Sequence, residues 1–143
     1  MRYILDYTKI LAIWLLGLFV GMFASVYAAD PTSFDIALDP SSLVVGEAAD
    51  MTVSAIDENG DLVKDFQGPI LISFEGFQDI DAYDVPDGGY YEFVAEDQWS
   101  KRFSKGLVMK KSGDYVLRVE IPGEDVVGTV RVNVSSTKDT TNN

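Results

Sequence analysis

Asp57, Asn59 and Asp61 place oxygen-bearing side chains at every second position, with Asp65 close by, and Asp79, Asp81, Asp84 and Asp87 form a second dense acidic group. Calcium takes roughly six to eight oxygen ligands, and alternating Asp and Asn open the loops that bind it. The first group departs from that pattern. Gly60 precedes Asp61 instead of following it, and no glutamate closes a loop of about twelve residues. Asn59-Gly60 reads instead as a tight turn whose two residues tolerate positive φ. No metal or other cofactor is expected, and Asp57, Asn59 and Asp61 are the candidates should calcium bind. A further group is aromatic: Tyr83, Tyr90, Tyr91 and Trp99 lie near Gly88-Gly89. Exposed flat rings offer broad apolar faces to a sugar, which makes Tyr83, Tyr90 and Trp99 the ligand candidates of a glycan-binding reading. The plainer alternative puts Tyr91 in a core by alternation and lays Trp99 over a sheet edge.

The chain has no histidine and no cysteine. That removes imidazole acid–base catalysis, thiolate nucleophiles, Cys/His zinc sites, disulfides and a thioether lipid anchor. Its carboxylates sit on alternating faces and in turns, where desolvation is too slight to raise a pKa, so no catalytic residue is assigned and no enzyme is expected. Eleven basic residues face 23 acidic ones, a net charge of −12. Such a surface repels phosphate backbones, and nucleic acid is excluded as a partner.

Residues 1–29 must be read apart from the rest. Arg2 and Lys9 precede twenty uncharged residues from Ile10 to Ala29. Val26 and Ala28 suit a signal-peptidase site with cleavage before Ala29, while the same run just reaches the length of a membrane span. A cleaved signal peptide and a retained single-pass anchor through residues 10–29 both stay open. Gly17, Gly21 and Ser25 have the spacing of small residues at which membrane helices approach closely. In either case the positive-inside rule puts the acidic remainder outside the cytoplasm.

From residue 30 the apolar residues alternate with polar ones, the period of strands half-exposed to water. Phe34, Ile36 and Leu38 mark a first strand, Met51, Val53 and Ala55 a second, and Ile70, Ile72 and Phe74 a third that is apolar on both faces and therefore central. Tyr91 and Phe93 mark a fourth, Phe103, Leu107 and Met109 a fifth, Tyr115 to Ile121 a sixth, and Val130, Val132 and Val134 a seventh. Turn residues separate them at Asp39-Pro40, Asn59-Gly60, Gly68-Pro69, Asp87-Gly88-Gly89, Ser112-Gly113 and Pro122-Gly123. About seven short strands predict an all-β, immunoglobulin-like two-sheet sandwich over residues 30–135, behind one hydrophobic leader helix. Residues 136–143 are polar and are expected to form a disordered tail.

Val45-Gly46-Glu47 leading into Met51-Thr52-Val53, then Asp57-Glu58-Asn59-Gly60, Asp65-Phe66, Tyr91-Glu92-Phe93 and Gly113-Asp114-Tyr115-Val116-Leu117, resemble the bacterial immunoglobulin-like repeats of invasin-type surface proteins. The likeness spans about residues 31–135. It implies a non-enzymatic structural or interaction module, exported and either secreted or anchored at the cell surface, with surface or extracellular proteins as partners and glycans as the alternative ligand. Tyr115 then falls where a tyrosine corner is expected, and Leu117 where antibody-type domains carry a cysteine. Asp97-Gln98-Trp99-Ser100 departs from the repeats, which more commonly have a glycine turn there.

Overall fold

The computed structural model describes residues 30–76 and 79–136, so the expected leader (1–29) and nearly all of the expected tail (136–143) lie outside the described residues. Among the described residues nine strands form two sheets: β1 (Ser33–Asp39), β2 (Leu43–Val44), β3 (Ala48–Ile56), β4 (Gly68–Phe74), β5 (Tyr83–Asp84), β6 (Tyr90–Phe93), β7 (Ser100–Met109), β8 (Gly113–Glu120) and β9 (Val127–Ser135). One sheet runs β1-β3-β7-β5 and the other β2-β9-β8-β4-β6. Every pairing is antiparallel except β2 with β9. The seven strands expected from alternation are present. The count was short by β2 and β5, each only two residues long, because a period of two cannot show itself in a single pair. Strands β1, β3 and β7 opposite β9, β8 and β4 reproduce the two central layers of an immunoglobulin-like sandwich. After β4 the chain visits the edge of the first sheet as β5 before it returns to the edge of the second as β6.

Alternation builds the core directly. In β3 every second residue from Ala49 to Ala55 is buried, and in β8 Tyr115, Leu117 and Val119 are. Each large apolar side chain fully buried this way contributes about 1.5–3 kcal/mol. Phe66, which lies between β3 and β4, stacks edge-on to Phe34 at 5.8 Å and against Phe93 at 5.2 Å, joining strands of both sheets. Leu117 is wholly buried, so apolar packing occupies the place of a disulfide. The Tyr115 hydroxyl donates to the Lys111 carbonyl at 2.9 Å, which is the tyrosine corner expected from the sequence.

Two local features set the geometry of the sandwich sides. At one side β1 lies so close to β9 that a Cβ on Gly128 would come within 2.0 Å of the Phe34 carbonyl oxygen. In β7 the alternation slips: Met51 opposes Phe103, yet Ala49 opposes Leu107, so β7 carries extra residues opposite Asp50. The bulge turns out Lys105, which shares the parity of the buried Phe103 and Leu107 yet is exposed.

Candidate functional site

The polar residues that the fold draws together lie where β6 ends and β7 begins. Lys101 shares the inward parity of Phe103 and stands opposite the buried Val53. Its ammonium is placed 5.0 Å from the centre of the Tyr91 ring and 3.1 Å from Oδ1 of Asp97. The other Asp97 oxygen accepts from the Tyr91 hydroxyl at 2.6 Å and from the Val94 N–H at 3.1 Å. Only 7% of the Asp97 side chain is exposed. Burial opposes ionisation of Asp97, but the bonds from Tyr91, Val94 and Lys101 outweigh it and hold the carboxyl below its usual range. Burial and the neighbouring carboxylate raise the Tyr91 phenol, and contact with Tyr91 and Asp97 raises Lys101. With anion and cation both stabilised in place, none of the three is poised to exchange a proton near neutral pH. The cluster ties Tyr91 on β6, in one sheet, to Lys101 on β7, in the other.

Gln98, which follows Asp97, adopts φ 59° and ψ −100°. A residue with a Cβ is strained in that backbone region, which glycine enters freely.

The calcium candidates are engaged otherwise. Oδ1 of Asp57 accepts from the backbone N–H groups of Asn59 (2.8 Å) and Asp61 (3.0 Å), so this carboxylate closes its own loop. A tight turn does lie at Asn59-Gly60: Gly60 has φ +81°, its N–H donates to the Asp57 carbonyl at 3.0 Å, and the Asp57 N–H donates to the Asp61 carbonyl at 2.9 Å, with the Asp57 side chain bracing the same loop. In the second acidic group Asp79 binds Lys111 and caps Asp81, and Asp84 pairs with Lys110 at 2.9 Å. Among the described residues no three acidic side chains converge on a point that could hold a metal.

The aromatic candidates do not converge either. Tyr83 opposes Met109 at one end of β7 and lays its ring 4.6 Å from that of Phe74. Trp99 precedes the other end of β7, roughly 30 Å away at about 3.3 Å per residue, and is half-buried. Tyr91 packs edge-on to Phe93 and Phe103, as its alternation implied. Tyr90 alone points outward, 49% exposed. A groove of about 420 Å³ at one end of the sandwich is lined by Asp30, Asp65, Phe66, Pro69, Ile121 and Glu124 among others.

Sequence reading missed the residues that define the surface of β6. Among the described residues β6 is the outermost strand of its sheet and pairs with β4 alone. Its outward residues are Tyr90 and Glu92, followed by Val94, which is 44% exposed. Tyr90 stands beside Leu71 and Glu92 beside Pro69 on β4. The Asp97–Lys101 spacing and the shared parity of Lys101 and Phe103 were visible signals of the cluster beneath; the exposed edge was not, because strand order is not written in any one segment.

No protein-family model matches the chain, and no curated protein is significantly similar to it. Solved structures share its general shape at low identity. A glycosyl hydrolase family 2 member from Bacteroides cellulosilyticus is 13% identical over 76% of this chain and 15% of its own, with a TM-score of 0.47. Domains 4 and 5 of the S-layer protein SbsC are 18% identical over 71% and 51%, with a TM-score of 0.44. The PKD domain of the human VPS10 domain-containing receptor SorCS2 is 14% identical over 78% and 79%, with a TM-score of 0.39. The chain thus spans about a seventh and about half of the first two.

Proposed function

We propose that the protein is a non-enzymatic, exported immunoglobulin-like module with a structural or interaction role at a bacterial cell surface. The observation that carries this reading is what its charged side chains do. Asp50, Asp57, Asp79, Asp84 and Asp97 all bind backbone N–H groups or basic side chains that shape loops, bulges and strand ends. A rigid sandwich of this kind offers loops and edges to partners, and function resides there, not in the fold. The basic residues Arg2 and Lys9 before the apolar run support export. Among the described residues no helix is long and apolar enough to cross a membrane. The glycan-binding alternative now draws on Tyr90 alone.

Protease treatment of intact cells making the full chain with a C-terminal tag tests the location, and surface crosslinking tests the role. Loss of the tag from intact cells, with crosslinks to surface proteins, is expected. Protection of the tag until lysis, or reproducible turnover of a polymer by the pure protein, overturns the reading.

A further inference from the structure

We infer that the free edge of β6 is where this module takes up an extended segment of a partner protein, one bearing a basic residue between two apolar residues at alternate positions. The inference rests on the reading as an interaction module and names its surface. A strand at the end of a sheet leaves every second N–H and C=O pair unbonded, and proteins usually blunt such edges. The other edges here are blunted. β2 and β5 are two residues long, β1 is closed against β9, and the outer side of β7 has an inward Lys101 and a bulge. β6 has no lysine, proline or bulge. Tyr90 on β6 and Val94 just past its end are two of the three large apolar side chains exposed among the described residues; the Val94 N–H and C=O are already bonded to Asp97, so the open backbone edge is that of β6 itself.

These two flank Glu92 on the outward face, with Leu71 and Pro69 beside them on β4. The surface therefore reads apolar, acidic, apolar along β6 and the residue that follows it. An added antiparallel strand sets its side chains opposite these, and cross-strand pairs favour apolar against apolar and opposite charge against charge. The complement is apolar, basic, apolar. A second copy of the chain is disfavoured: antiparallel pairing of residues 90–94 with themselves centres on Glu92 and sets it opposite its own copy, between two bodies each of net charge −12. The Asp97 cluster beneath holds β6 in place, which lowers the ordering cost of adding a strand.

Amide NMR titration of the full chain in detergent micelles tests this, with the peptide acetyl-Thr-Val-Thr-Lys-Thr-Val-Thr-amide as probe at about millimolar concentration. Shifts centred on Tyr90–Phe93 are expected, with a peptide bearing Glu in place of Lys roughly fivefold weaker. Glu92→Lys is exposed and should keep the spectrum of a folded domain while reversing the peptide preference. Absence of β6 shifts, equal binding of both peptides by the wild type, an unreversed preference in Glu92→Lys, or dilution-dependent shifts in β6 from self-association overturns it. Surface crosslinks that persist without β6 shifts would leave the module reading standing and sink this one.

Discussion

The carboxylate of Asp50 spans the bulge in β7: Oδ1 accepts the N–H of Lys105 at 2.7 Å while Oδ2 takes the guanidinium of Arg102 at 2.5 Å. Lys105 has φ 52°, a left-handed conformation that a lysine does not favour. One aspartate on β3 thus holds an unfavourable backbone geometry fifty-five positions away. Asp50→Ala should lower the melting temperature by several degrees. Lys105→Gly should raise stability by a few tenths to about 1 kcal/mol, because glycine adopts that φ without penalty. Thermal melts of the two variants against wild type check both signs.

Asp97 gives the largest expected loss among the polar residues. Asp97→Ala leaves the Tyr91 hydroxyl, the Val94 N–H and the Lys101 ammonium without their acceptor, and should cost roughly 2–3 kcal/mol. Tyr91→Phe removes one bond and should cost about 1 kcal/mol. The double variant should lose less than the sum, since both changes remove the same contact. Urea denaturation of the four proteins measures this.

Stability should fall at both ends of the pH range. The Lys105 N–H and Arg102 lower Asp50; burial opposes ionisation of Asp97, but its hydrogen bonds prevail and lower it too. Their contribution is complete above the ordinary value of 3.8 and is lost as pH falls through their lower folded values. Burial and Asp97 raise Tyr91, and Tyr91 and Asp97 raise Lys101, so their contribution is complete below 10.0 and 10.5 and is lost as pH rises through the higher folded values. Denaturation midpoints should be flat between about pH 5 and 9, and Tyr91→Phe should lessen the alkaline fall.

Gln98→Gly should stabilise the protein by about 1 kcal/mol, since φ 59° with ψ −100° is costly for any residue with a Cβ. Gln98→Ala should change little, because alanine meets the same backbone penalty. A stabilising alanine would show that the glutamine side chain, and not the backbone, carries the cost.

Gly128→Ala should cost on the order of 3 kcal/mol or more, as the new methyl would fall 2.0 Å from the Phe34 carbonyl and force β1 off β9. Gly60→Ala has open space around it and suffers only from its positive φ, at about 1 kcal/mol. Circular dichroism melts of the pair separate a packing cost from a backbone one.

Alternation along each segment determined the long strands, since a half-buried strand must show a period of two whatever its neighbours are. Tyr115 after a glycine turn was enough to expect a corner onto the preceding connection, because that motif closes within a few residues; the structure supplies Lys111 as the acceptor. Tertiary structure decided everything that joins distant segments. Asp50 looked like one more exposed carboxylate until the bulge of β7 came opposite it. Tyr83 and Trp99, sixteen residues apart in sequence, went to opposite ends of one strand. Glu92 gained its meaning only when β6 proved to be the last strand of its sheet. Side-chain period is a local property, legible in a dozen residues, but strand order and register depend on which non-local pairs bury the most surface, and no single segment records that choice.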